Sequence, residues 1–158
     1  MKLIRVGVDL AKNVFQLHGV DRSEKMVWRR KLVRAEWIKV LLDRIEPGCE
    51  IGMEACSGAH HWARLLQAKG FTVKLIAPQF VKPYVKSNKN DANDAEAICE
   101  AMRRPSMRFV AIKTVEQQDI QAVHRSALVL WISVKGNRTN YVAWHRNMDW
   151  WHRKSYCI

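Results

Sequence analysis

Four carboxylates stand where two metal ions could be held. Asp9 closes the apolar run Ile4-Arg5-Val6-Gly7-Val8-Asp9, and Glu54 closes Ile51-Gly52-Met53-Glu54. Asp91 and Asp94 open the pattern Asp91-Ala92-Asn93-Asp94-Ala95-Glu96-Ala97-Ile98. A carboxylate at the end of a buried strand loses hydration and is costly unless something positive compensates it. A pair of Mg2+ ions, hard cations that take oxygen ligands, would do so. Two such ions, roughly 4 Å apart, support in-line displacement at phosphorus, which is nuclease or strand-transfer chemistry.

Each acid also has a plainer explanation. Asp9 suits the turn after a strand, and Glu54 suits a helix entry, where the helix dipole favours negative charge. Asp91 can cap a helix, and an acid three residues on resembles a capping box. The four together are more informative than any one. Asp9 and Glu54 are expected on neighbouring strands, where two bare carboxylates repel and one takes up a proton. Asp91 and Asp94, three apart, share one helix face and aim at one point. Lys82, Lys86 and Lys89 precede that pair and could steer a phosphate backbone toward it. Lys12, just after Asp9, joins them as a candidate nucleic-acid contact.

The elements that must position these groups follow from periodicity. Residues 3–10 alternate as a strand, with Ile4, Val6 and Val8 on one face. Residues 14–21 and 25–33 are β-rich and flank the polar turn Asp21-Arg22-Ser23-Glu24, which implies a hairpin. Trp37, Ile38, Leu41, Leu42 and Ile45 recur at helical spacing before Pro47-Gly48. Residues 49–55 are a strand ending at Glu54, 59–69 a helix stopped by Gly70, and 72–77 a strand stopped by Pro78. Residues 79–90 are basic and irregular. A helix over 91–104, a short strand over 108–113 and a polar helix from Val115 complete the series. Three antiparallel strands followed by helix, strand, helix, strand and helix is the order of a ribonuclease-H-like fold. The expected architecture is an α/β, ribonuclease-H-like, mixed five-stranded sheet flanked by helices.

The chain has 158 residues, enough for one domain with an appendage, and 48% of them are hydrophobic. With 27 Lys and Arg against 15 Asp and Glu, its net charge is +12. That excess concentrates polyanions and points to nucleic acid or an anionic membrane surface. No apolar run approaches the ~20 residues that span a bilayer, and no secretory signal opens the chain, so a cytoplasmic location is expected. Cys49, Cys56, Cys99 and Cys157 have no Cys-x-x-Cys spacing and read as reduced thiols. His60 and His61 are adjacent and cannot face one ligand from a regular element.

The last stretch breaks the pattern. Residues 126–158 hold Trp131, Trp144, Trp150 and Trp151, four of the seven tryptophans, with a single acid, Asp149. Without them the chain keeps 22 basic and 14 acidic residues, a net +8, so the body is basic by itself. The expected organisation is a metal-binding domain over 1–114, the start of a helical segment over 115–126, and a divergent tail over 127–158, frameshifted or disordered. A nucleic-acid-stacking or membrane-surface segment would also account for the tryptophans.

Three blocks carry a resemblance. Gly7-Val8-Asp9-Leu10-Ala11-Lys12, Met53-Glu54-Ala55-Cys56-Ser57-Gly58-Ala59-His60 and Lys89-Asn90-Asp91-Ala92-Asn93-Asp94-Ala95-Glu96-Ala97-Ile98 resemble the DEDD transposases of the IS one-ten insertion sequences, relatives of the Piv-type invertases. The resemblance covers about residues 3–125. It implies a RuvC-like domain that binds Mg2+ through Asp9, Glu54, Asp91 and Asp94 as its catalytic set. It also implies DNA transposition with a structured guide RNA, by dimers that pair into tetramers. Family members continue into a second domain bearing a nucleophilic serine. None of Ser126, Ser133 or Ser155 lies in a match to that motif, so this chain alone is expected not to transpose. Two other classes fit the same residues. A non-catalytic nucleic-acid-binding module would ignore the four acids, and a structure-specific nuclease would use water as its nucleophile.

Overall fold

The computed structural model describes residues 2–85 and 91–135, and only the backbone of residues 91, 92, 134 and 135. The chain divides into two compact units, one ending at Ile112 and one starting at Lys113.

The first unit opens with β1 (Arg5–Leu10), β2 (Val14–Val20) and β3 (Met26–Val33), an antiparallel meander. The β2–β3 turn is built by side chains. Asp21 Oδ1 accepts from the backbone N–H of Ser23 at 2.8 Å and of Lys25 at 3.1 Å. Glu24 sits at φ 58°, a left-handed conformation unusual for a non-glycine residue. The Arg5 guanidinium steadies it, donating to both Glu24 carboxylate oxygens at 3.0 and 2.9 Å.

Then come α1 (Trp37–Arg44), β4 (Glu50–Glu54), α2 (Ala59–Ala68) and β5 (Thr72–Ile76). The stretch expected to be irregular contains a short helix, α3 (Pro78–Val81), and a 3-10 turn over Lys82–Tyr84. Pro78 sits in the first turn of α3, where its missing N–H costs nothing. Next are α4 (Asp91–Met102) and β6 (Phe109–Val110).

The sheet runs β3-β2-β1-β4-β5-β6. β1, β4 and β5 are parallel, and β6 pairs antiparallel with β5 through Leu75 with Val110 and Ile76 with Phe109. The ribonuclease-H-like order is therefore present, a mixed sheet flanked by helices. It has six strands and not the five expected. The sixth is β6, within the short strand expected over 108–113; what the sequence did not disclose is that it joins this sheet, beside a strand more than thirty residues earlier.

The two faces of the sheet are covered differently. On one face Val6, Val8, Phe15, Leu17, Ile51, Met53 and Leu75 are buried with Trp37 and Leu41 of α1 and with Ala59, Ala63 and Leu66 of α2. Each such side chain removed from water contributes about 1.5–3 kcal/mol. The opposite face carries α4, whose Ala97, Ile98, Ala101 and Met102 join Ile76 of β5 and Val81 of α3. Burial pushes the Cys49 thiol up to about 11 and the Cys99 thiol up to about 12, as befits inert core fillers. Cys56 is a free, exposed thiol, and Cys157 lies outside the described residues.

The second unit is described as one helix, α5 (Val115–Lys135). It opens with a reciprocal capping box. Gln117 N–H donates to Thr114 Oγ1 at 3.2 Å, and Thr114 N–H donates to Gln117 Oε1 at 3.0 Å. The helix passes Ser126, where the helical segment was expected to end, and reaches Lys135. Trp144, Trp150 and Trp151 lie outside the described residues.

Candidate functional site

β1 and β4 are parallel neighbours in the register Val6 with Ile51, Gly7 with Gly52 and Val8 with Met53. Asp9 and Glu54 are the next residues on each strand. Continued by one residue, that register puts both at the same end and on the same face of the sheet, on strands spaced ~4.8 Å apart. Each acid follows a glycine by two positions, in Gly7-Val8-Asp9 and Gly52-Met53-Glu54. Residues two apart on a strand share a face. The glycines thus mark the face on which both acids stand, and they explain how α4 reaches it. A β-carbon on Gly7 would overlap the Ala95 carbonyl oxygen and lie 2.8 Å from the Cys99 backbone nitrogen. One on Gly52 would meet the Met102 side chain, at 2.8 Å from its Cγ. The backbone of α4 rests almost directly on the strands, and that contact brings its N-terminal turns to the two acids.

Asp94 arrives by this route. Burial is the first cause, and the nearby Asp94 carboxylate the second, that raises the Glu54 carboxyl above its ordinary value of 4.5; Lys82 opposes them. Glu54 and Asp94 therefore feel each other, and Lys82 stands within electrostatic reach. Asp91 lies three residues before Asp94 on α4, and its side chain is outside the described residues. Among the described residues, no three His, Cys, Asp or Glu side chains are gathered closely enough to cage a metal by themselves.

The raised Glu54 carboxyl has a consequence for stability. The folded protein holds this proton more tightly than the unfolded chain does. The stability it contributes is full below pH 4.5 and declines as pH rises through the folded value. Glu54→Gln, which never ionises, is expected to raise the metal-free melting temperature at neutral pH. Melts in EDTA across pH 4 to 8 check this, and a Gln variant less stable than wild type at pH 7 would contradict it.

The basic candidates separate. Lys12 follows β1 and is exposed, and Lys82 is exposed at the start of the 3-10 turn. Lys86 and Lys89 lie outside the described residues. His60 is buried in the first turn of α2, while the His61 ring stands edge-on to Trp62 at 5.0 Å. Sequence reasoning passed over the β2 and β3 residues beside Asp9. Gln16 is the cross-strand partner of Asp9, and Lys31 is the partner of Gln16. The only sequence signal for them was the strand alternation, which fixes a face but not a partner.

A family model described as a transposase, DEDD_Tnp_IS110, matches residues 6–134. The chain belongs to this DEDD transposase family. A probable family 20 transposase of Pseudomonas aeruginosa is 59% identical over 125 residues, covering 79% of this chain and 36% of that protein. The transposase for insertion sequence element IS1111A of Coxiella burnetii is 54% identical over 124 residues, 78% of this chain and 34% of that one. The transposase for insertion sequence element IS1328 of Yersinia enterocolitica is 48% identical over 120 residues, 76% and 35%. This family member spans about a third of the length of those curated relatives. A solved structure of Thermus thermophilus RuvC with a Holliday junction substrate is similar at a TM-score of 0.49 and 15% identity, covering 70% of this chain and all of that one. Among the described residues, no helix is long and apolar enough to cross a membrane.

Proposed function

We propose that this chain forms the metal-binding, DNA-engaging part of an insertion-sequence transposase, acting in DNA transposition and recombination. The observation that carries this reading is the shared end and face of Asp9 and Glu54, with Asp94 close enough to raise the Glu54 carboxyl. The donor set fits the ion. All four candidates, Asp9, Glu54, Asp91 and Asp94, offer hard carboxylate oxygen, which suits Mg2+. The charge penalty at Glu54 is of the kind that a divalent cation relieves. Bound there, Mg2+ would polarise a phosphodiester and stabilise charge on its oxygens. The protein's own share is to hold the carboxylates convergent and to bring DNA to them. Lys12 and Lys82, with Lys86 and Lys89 in the same reading, would hold the phosphate backbone. The net charge of +8 over residues 1–125 supports a polyanionic partner, DNA or a guide RNA alike. Homo-oligomers and a serine-bearing second domain belong to the whole transposase.

Mg2+ titration of the full chain tests the metal site. Saturation near 100 times the Kd stabilises by about 2.7 kcal/mol, which is roughly 5–10 °C in Tm for a chain of this size. Asp9→Asn combined with Asp94→Asn is expected to abolish that shift. If the shift survives both substitutions, the assignment of the metal to these carboxylates fails.

A further inference from the structure

The row of polar groups at this end of the sheet does not stop at the carboxylates. Glu54, Asp9, Gln16 and Lys31 stand side by side on β4, β1, β2 and β3, all on the face that carries α4. Gln16 and Lys31 form the flank of that row beyond Asp9. Gln16 is only 9% exposed, and its amide is not among the buried polar atoms left without a partner, so it is not sealed off unsatisfied in the core. Lys31 is exposed and has no ion-pair partner among the described residues. Its neighbour on the same face, Arg29, is different: it is tied to Glu96 of α4 at 3.0 Å and lies 3.4 Å from His18 Nδ1. One cation of the strand is thus used to dock α4, and the next, exposed Lys31, stands beside the polar Gln16 side chain.

We propose that Gln16 and Lys31 form a phosphodiester-binding subsite that receives the nucleic-acid strand where it leaves the carboxylates, on the side away from Lys82. The proposal rests on the metal-site reading and extends it by giving the strand a direction across the sheet. From Glu54 to Lys31 there are three strand spacings, ~14 Å. A duplex strand places a phosphate every ~3.4 Å along its axis, so the row spans about four nucleotides. Lys82 meets the strand on the β5 side, the acids face the reacting phosphate, and Lys31 meets a phosphate beyond it. Gln16, between the acids and Lys31, donates its amide N–H groups to a phosphate oxygen or a sugar oxygen and carries no charge of its own.

Charge makes the two roles separable. The full chain is titrated with a fluorescent single-stranded DNA, the matching duplex and the matching RNA, over a series of salt concentrations. Lys31→Ala is expected to weaken binding about 3- to 10-fold and to lower the slope of log K against log salt by about 0.9 on duplex or about 0.7 on a single strand. The value of that decrement identifies which form lies on the subsite, and the RNA arm separates guide from DNA. Lys31→Arg is expected to restore both affinity and slope. Gln16→Leu is expected to weaken binding with the slope unchanged. Wild-type slope and affinity in Lys31→Ala on all three ligands would overturn the proposal, as would a lowered slope in Gln16→Leu. The metal reading is scored separately, by the Mg2+ shift of wild type against Asp9→Asn, so either can fail alone.

Discussion

Replacing Gly7 with valine is expected to lift α4 off the sheet and cost about 3 kcal/mol, the upper end of overpacking penalties. That corresponds to a fall in Tm of roughly 6–12 °C. A valine in a strand has a local advantage, since glycine in a strand interior costs roughly 0.5–1 kcal/mol. The clash outweighs it because the obstructing atoms are backbone. The Ala95 carbonyl and the Cys99 nitrogen belong to a helix and cannot rotate aside. Gly52→Ala is the control. Its new methyl meets the flexible end of Met102 and the Ile98 side chain, so a loss nearer 1 kcal/mol is expected. The functional consequence exceeds the stability loss. α4 carries Asp91 and Asp94, so Gly7→Val should also erase the Mg2+-induced shift in protein that is still folded. Thermal melts with and without Mg2+ read both effects, and a Gly7→Val protein melting within about 2 °C of wild type would refute the close-contact argument.

That contact explains how much of the site the sequence could disclose. Alternation along residues 4–9 and 51–54 was enough to place Asp9 and Glu54 at strand ends, and the order of elements was enough to make those strands neighbours. A glycine inside a strand pattern is itself a signal of close backbone approach, and here it stands two residues before each acid. What alternation cannot supply is register between strands. Gln16 and Lys31 come beside Asp9 because the Asp21 side chain fixes the hairpin turn and Arg5 holds Glu24 in a left-handed conformation. A shift of one residue would send both to the other face. The helix past Ser126 was missed for another reason. Residues 127–132, Ala-Leu-Val-Leu-Trp-Ile, are apolar all round and show no period, yet nothing breaks the helix before Gly136. Val129 and Leu130 are accordingly exposed at 59% and 66%.

Trp37→Ala tests the opposite face and should be the more costly substitution, about 3–5 kcal/mol and roughly 6–20 °C. Trp37 is fully buried between β2 and α2. Its ring stands nearly perpendicular to Phe15 and to Trp62, each at 5.1 Å, and Phe15 meets Trp62 at 5.8 Å. Edge-to-face contacts of this kind add about 0.5–1.5 kcal/mol each beyond burial. The Trp37 Nε1 proton has no hydrogen-bond partner among the described residues. The tilted rings around it offer a π face as a weak acceptor. Trp37→Phe removes that unpaired donor together with some volume, so its cost should be well below that of alanine. The decisive comparison is with Gly7. Linkage makes the Mg2+ increment depend on affinity alone and not on how stable the fold is. A substitution at Trp37 should therefore lower both melting curves in parallel, leaving the distance between them unchanged. A substitution at Gly7 should bring the two curves together. If Trp37→Ala also brings them together, the two faces of the sheet are not independent, and the site is held by the whole core and not by the seating of α4 alone.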